Sequence, residues 1–103
     1  MRFRTMCSGR QYAMERVRGA SFNGPMARVD QNIPSRAICA RICLSETGFV
    51  CAAASYDTVA KTCALSTEDR RTQQSAFEDN SKSTEYMENQ CVSGRLLRLN
   101  SVI

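Results

Sequence analysis

The chain has 103 residues, of which 43% are hydrophobic and 23% are charged, with only 2 prolines and 5 glycines. This composition excludes a disordered tail and is typical of one globular domain with a modest core. No apolar run has the length of a membrane helix or of a signal-peptide core. We therefore expect a fragment, or an incomplete gene model, of a larger secreted or membrane-anchored protein, with residues 1–6 as an N-terminal extension or fragment edge.

The net charge of +4 is unevenly distributed along the sequence. Residues 1–50 carry +5 and residues 51–90 carry −3, because most arginines lie in the first half. A basic segment of this kind can attract a polyanion. Arg16, Arg18 and Arg28 are the candidate ligand-binding side chains.

Two short strands are expected before residue 30. Residues 11–17 alternate in a pattern that favours a strand, with Tyr12, Met14 and Arg16 on one side. The turn signal at residues 23–25, Asn-Gly-Pro, follows. Residues 26–29 are then expected to pair back as a second strand.

Residues 32–44 form the best helix candidate, with Pro34 or Ser35 in the first turn and Gly48 shortly after its end. One apolar stripe is predicted to face a sheet, and it contains Ile38, Cys39, Ile42 and Cys43.

The remaining sequence is expected to be mainly strands and loop. Residues 49–56 and 62–66 are short apolar runs that should pair as a hairpin. Residues 67–82 are polar and indicate a long loop with one apolar anchor, Ala76 and Phe77. Residues 84–91 return as a last strand, and residues 92–103 resemble a linker or tail.

Six cysteines form an even set, which fits three disulfides or thiolate ligands of a metal. The spacing lacks the paired pattern of a zinc site and histidine is absent, so disulfides and an extracellular location are favoured. Cys39 and Cys43 lie one helical turn apart, a poor arrangement for a mutual bridge. Both should therefore reach Cys51 and Cys63 on the hairpin. Which helix cysteine takes which partner stays open.

Catalysis is not expected, because nucleophile arrangements that need histidine are impossible in this chain. The carboxylates Glu68, Asp69, Glu78 and Asp79 are interpreted as solvated charges of the polar loop. We expect no enzyme activity, no cofactor and no metal. Nucleic-acid binding is also disfavoured, since basic clusters with stacking aromatic residues are lacking.

Four segments resemble the PAN/apple family: CARIC at residues 39–43, FVCAAASYD at 49–57, KTCALSTEDR at 61–70 and EYMENQC at 85–91. The resemblance covers residues 7–91. The stretch EDRRTQQSAF at 68–77 is most similar to PAN modules of invertebrate apical extracellular matrix proteins, which include cuticle proteins and often carry a zona pellucida domain.

The resemblance implies an α+β fold in which an antiparallel sheet of about five strands is crossed by one helix. It also implies three disulfides: Cys39 with Cys63, Cys43 with Cys51, and Cys7 with Cys91.

The function implied is a non-catalytic extracellular module for protein–protein interaction or assembly in an apical matrix. Its partner would be a matrix or cell-surface protein, with no membrane insertion in this segment. One alternative is a module that binds an anionic, heparin-like glycan through Arg16, Arg18 and Arg28. Another is a soluble cysteine-rich receptor ligand.

Overall fold

A computed structural model describes residues 14–79 and 81–90, and these form an α+β fold. The elements in chain order are β1 (Met14–Arg18), β2 (Ser21–Phe22), β3 (Arg28–Asp30), α1 (Arg36–Ser45), β4 (Ala53–Asp57), β5 (Thr62–Ser66), a 3₁₀ turn (Gln74–Ala76), β6 (Phe77–Glu78) and β7 (Thr84–Asn89). Five strands make one antiparallel sheet in the order β1-β7-β4-β5-β3, and β2 pairs with β6 in a separate ribbon. The predicted five-stranded sheet with one helix is confirmed.

The hairpin of β4 and β5 is confirmed, with Asp57 opposite Thr62. The Asp57 carboxylate accepts the backbone N–H groups of Val59 and Ala60, both at 2.9 Å, and thereby shapes the turn. Strand β4 begins at Ala53, four residues later than the apolar run that starts at residue 49.

The prediction for the second strand is wrong in its pairing. Strand β3 does not pair with β1 but lies against β5, at the opposite edge of the sheet. Gly19, in the left-handed region at φ 69°, turns the chain after β1 into β2 of the ribbon. The Asn23 N–H then donates to the Ala76 carbonyl and the Ala27 N–H to the Leu65 carbonyl, which carries the chain across the sheet to β5.

Helix α1 is confirmed, but it begins at Arg36, four residues after the start of the predicted segment, and its buried face is rotated. The Ser35 hydroxyl caps the helix by accepting the Ile38 N–H at 3.3 Å. The buried residues are Cys39, Ala40 and Cys43, whereas Ile38 and Ile42 are only partly buried. The buried face is thus turned by roughly 80° from the predicted stripe, since successive residues are about 100° apart. Both disulfides leave from this face, and the small Ala40 side chain lets the helix approach the sheet closely.

The sheet is covered on both faces. On the first face α1 covers a cluster that includes Met14, Ala54, Leu65 and Met87. On the second face the ribbon and the segment 67–79 cover a smaller cluster, which contains Ala20, Phe22, Ala53 and Tyr86, with Val17, Ala76 and Phe77 packed against it. The predicted apolar anchor at residues 76 and 77 is confirmed.

Two disulfides join the helix to the hairpin as the family resemblance implies. Cys39 is bonded to Cys63 and Cys43 to Cys51, each with Cα atoms 5.4 Å apart. The third predicted pair, Cys7 with Cys91, lies outside the described residues. The predictions for residues 1–6 and 92–103 do so as well.

We expect non-reducing peptide mapping of the thiol-blocked protein to give Cys7 linked to Cys91, beside the two helix-to-hairpin bonds. The loss of loop-closure entropy in the unfolded chain predicts how much each helix-to-hairpin bond stabilises the fold. The expected contribution is about 2.5 kcal/mol for Cys43–Cys51, whose cysteines are 8 residues apart, and about 3.5 kcal/mol for Cys39–Cys63, whose cysteines are 24 residues apart. A peptide that joins Cys39 to Cys51 would contradict the arrangement of helix and hairpin.

Candidate functional site

Arg16 on β1 lies on the first face of the sheet, which α1 covers, and it forms an ion pair with the neighbouring strand β7. Its Nε is 2.7 Å from Glu85 Oε1 on β7, and the Nε of Arg36 on the helix is 3.5 Å from the same oxygen. Arg18 is exposed and forms no ion pair within residues 14–79 and 81–90. Of the two β1 arginines, Arg18 is therefore the one available to a ligand.

Arg28 lies on β3, at the opposite edge of the sheet. Its guanidinium is 2.8 Å from Asp30 and 2.6 Å from Glu46, and it stands 5.9 Å from the ring centroid of Phe49. The hydrogen bonds to Asp30 and then Glu46 raise the pKa of Arg28. Four strand spacings, roughly 19 Å, separate β1 from β3. The three predicted binding arginines therefore do not form one patch.

The described part of the chain is close to neutral. It contains nine Arg and Lys residues against ten Asp and Glu, which gives −1. The positive excess comes from five arginines in the residues that are not described, at positions 2, 4, 10, 95 and 98. The net charge of +4 is therefore no argument for a basic surface on the sheet or the helix.

Sequence reasoning missed a buried polar network centred on Glu88. This β7 side chain has no exposed surface, and its Oε2 accepts the Tyr86 hydroxyl at 2.9 Å. The Nε of Arg70 is 3.1 Å from the same oxygen, and Arg70 also contacts Glu15 on β1 at 2.9 Å. The Nε of Arg71 is 3.8 Å from Glu88 Oε1. Segment 67–79 is thus tied to the sheet through charge as well as apolar contact.

Two aromatic rings lie beside the partly exposed Arg70 guanidinium. Its Cζ lies 5.5 Å from the Phe77 ring and 5.9 Å from the Tyr86 ring, within the range of cation–π attraction. Partial burial lowers the pKa of Arg70, but Glu88 and Glu15 outweigh this and the pKa is raised overall. Burial raises the pKa of Tyr86 well above its ordinary value, so the hydroxyl stays protonated and remains a donor to Glu88.

Asp69 was interpreted as a solvated charge, and that interpretation is wrong. Its side chain is buried, at 1% exposure, and accepts the backbone N–H groups of Arg71 at 2.8 Å and Thr72 at 3.2 Å. The carboxylate therefore fixes the turn that presents both arginines. Glu78 and Asp79 are exposed, as predicted.

An open depression of about 300 Å³ lies beside the network. Its lining consists of Arg70, Arg71, Gln74 and Phe77. Guanidinium and amide groups beside an aromatic ring suit hydrogen bonding and packing with a partner. Within residues 14–79 and 81–90, no cluster of three or more potential ligands could hold a metal ion.

Comparison with known proteins places this architecture in a family. The family model described as PAN domain matches residues 7–91, most of the chain. Curated proteins yield no match. Among the helices of the described residues, none is both long enough and apolar enough to cross a membrane. With the helix bonded to the hairpin by two disulfides across a five-stranded antiparallel sheet, and with the family model matched over residues 7–91, the chain belongs to the PAN domain family.

Proposed function

We propose that the chain is a non-catalytic extracellular module that binds a protein partner and contributes to the assembly of an apical extracellular matrix. PAN domains generally bind proteins or carbohydrates, and those with disulfides are typical of extracellular proteins. The similarity of residues 68–77 to matrix-associated PAN modules supports the apical matrix as the location.

The charge balance of the described residues favours a protein partner over a polyanion. Internal ion pairs engage five of the nine described cations, namely Arg16, Arg28, Arg36, Arg70 and Arg71. The described surface also exposes large apolar side chains, namely Met26, Val29, Val50 and Val59. A nearly neutral surface with exposed apolar side chains suits association by contact area and shape more than capture of a polyanion.

Binding of the recombinant domain to matrix material is therefore expected to survive a rise from about 0.15 M to about 1 M salt, where the Debye length falls from about 8 Å to about 3 Å. It should also survive the double substitution of Arg16→Ala with Arg18→Ala. Retention can be measured by quantitative immunoblotting of the bound fraction at each salt concentration.

Reduction of the disulfides provides the control, because it should abolish binding by unfolding the surface. If binding instead vanished with the two arginines, or with moderate salt, a glycan-binding function would replace the one proposed.

A second candidate, binding of an anionic glycan, is favoured by one end of the sheet, where several loops converge. The Ser81 N–H donates to the Gly19 carbonyl at 2.8 Å, and the Thr58 N–H donates to the Ser83 carbonyl at 2.8 Å. The turn after β1, the loop before β7 and the turn of the β4–β5 hairpin are thereby joined.

These three loops contain or adjoin Arg18, Lys61 and Lys82. None of the three cations forms an ion pair with another described residue, and all three are exposed. Elution from a heparin column tests this candidate. A large fall in the salt needed for elution on combined Ala substitution of the three would favour it, whereas weak retention of the unsubstituted domain would count against it.

A further inference from the structure

Strand β3 is an edge strand of the sheet that the described residues form. It pairs with β5, and no other described strand pairs with it. Residues 26–32 are exposed apart from Asp30, with Met26 at 39% and Val29 at 50%. An edge strand offers backbone N–H and C=O groups on which another strand can pair.

The β3 sequence is complementary to itself when two copies run antiparallel. Its three residues are Arg28, Val29 and Asp30. In a two-fold pairing centred on Val29, Arg28 of each copy lies opposite Asp30 of the other, and the two Val29 side chains lie opposite each other. Opposite charges and β-branched residues are favourable cross-strand partners. A two-fold axis is also the commonest symmetry of protein dimers, and both copies use the same surface.

We propose that β3 pairs antiparallel with β3 of a second copy of this chain, joining two five-stranded sheets edge to edge. This deepens the assembly part of the proposed function by making the second copy one of the partners.

The two faces of the sheet receive different contacts in this pairing. Val29 lies on the face of Ala64, Ser55 and Tyr86 and makes the apolar contact there. The charged pairs form on the helix-covered face, where Arg28 already lies 2.8 Å from Asp30 and 2.6 Å from Glu46 of its own chain, so each cross-copy pair extends an existing cluster of charges.

A three-residue pairing forms few hydrogen bonds, so the isolated domain should dimerise weakly. Weak contacts of this kind become effective when several copies are held together, because each further contact is then intramolecular. Such a contact suits a module that is assembled into a matrix.

A cysteine introduced at the centre of β3 tests the antiparallel pairing of the two copies. Directly opposite residues of antiparallel strands have Cα atoms about 4.5–5.5 Å apart, which is within the range of a disulfide. Under mild oxidation Val29→Cys should therefore give a disulfide-linked dimer on a non-reducing gel. Val59→Cys is the matched control, because Val59 is even more exposed, at 79%, but lies on the hairpin turn. Equal crosslinking of the two variants, or none of Val29→Cys, would overturn the pairing.

Exchanging the charges of Arg28 and Asp30 tests the register of the β3–β3 pairing. The measurement uses the purified domain with no matrix present. Arg28→Asp places two like-charged pairs across the axis and should weaken dimerisation by about tenfold or more in sedimentation equilibrium. Arg28→Asp combined with Asp30→Arg restores the complementary order and should restore dimerisation. An amide NMR spectrum of each variant confirms folding. A folded Arg28→Asp variant that dimerises like the unsubstituted domain, or a folded exchange variant that stays monomeric, would contradict the proposal.

The Arg28→Asp variant also distinguishes failure of the dimer proposal from failure of the proposed function. Folded Arg28→Asp should still bind matrix material, because a heterologous partner does not need the two-fold pairing. Loss of self-association alone would leave the protein-binding function in place.

Discussion

Replacement of Glu88 by Ala is expected to destabilise the fold by about 2 kcal/mol, because it removes the buried carboxylate that accepts the Tyr86 hydroxyl and that pairs with the partly exposed Arg70. Arg70 would keep only Glu15 as an anionic partner, and the buried Tyr86 hydroxyl would lose its acceptor. Removing the acceptor of a buried donor costs its desolvation free energy. The free energy of unfolding in guanidinium chloride, with disulfides intact, measures the effect.

Glu78→Ala is the matched control, since Glu78 is exposed and also lies in the segment that covers the second face. It should change stability by less than about 0.5 kcal/mol. Glu88→Gln should lie between the two, because it keeps a hydrogen-bond acceptor but not the charge. Equal stability of the two alanine variants would mean that the network does not hold segment 67–79 on the sheet.

Ala40→Asp is expected to prevent folding or to destabilise the domain by several kcal/mol, because it buries an unpaired carboxylate between helix and sheet. Ala40 is 1% exposed and packs in the cluster with both helix cysteines. Secretion yield and the free energy of unfolding of the purified variant measure the effect.

Arg41→Asp changes the adjacent, exposed position and should have a much smaller effect. Ile42→Asp should be intermediate, since Ile42 is partly buried against the same cluster. If Ile42→Asp were more damaging than Ala40→Asp, the buried face of the helix would be the one predicted from the apolar stripe.

The sequence was sufficient to predict the features that depend on local pattern and cysteine spacing. The hairpin was predictable because two short apolar runs flank a polar turn, and the family resemblance supplied the pairing of Cys39 with Cys63. The presence of the helix was predictable, but its start at Arg36 lies four residues after the start of the predicted segment, with Ser35 as the N-cap outside the helix.

The phase of the helix was not predictable from hydrophobicity alone. Ala40 is small and contributes little to an apolar stripe, whereas Ile38 is large and contributes much. Ala40 is nevertheless buried and Ile38 is only partly buried, because the bonds of Cys39 and Cys43 to the hairpin determine which side of the helix faces the sheet.

The polar network depends on contacts between distant residues, which no local pattern reveals. Glu88 and Arg70 are 18 positions apart, and Arg70 stands in a run of polar residues that is typical of a solvated loop. One signal was available: Tyr86 and Glu88 have the spacing of residues on the same face of a strand. The pairing of β3 was equally inaccessible, because three residues carry too little pattern to specify a partner strand.

The most direct test of the central claim is the amount of domain that binds to matrix after selective digestion of that matrix. Matrix pretreated with glycosaminoglycan lyases is expected to retain full binding, and matrix pretreated with a protease, then washed and inhibited, is expected to lose it. Binding that disappears after lyase digestion and persists after proteolysis would contradict a protein partner.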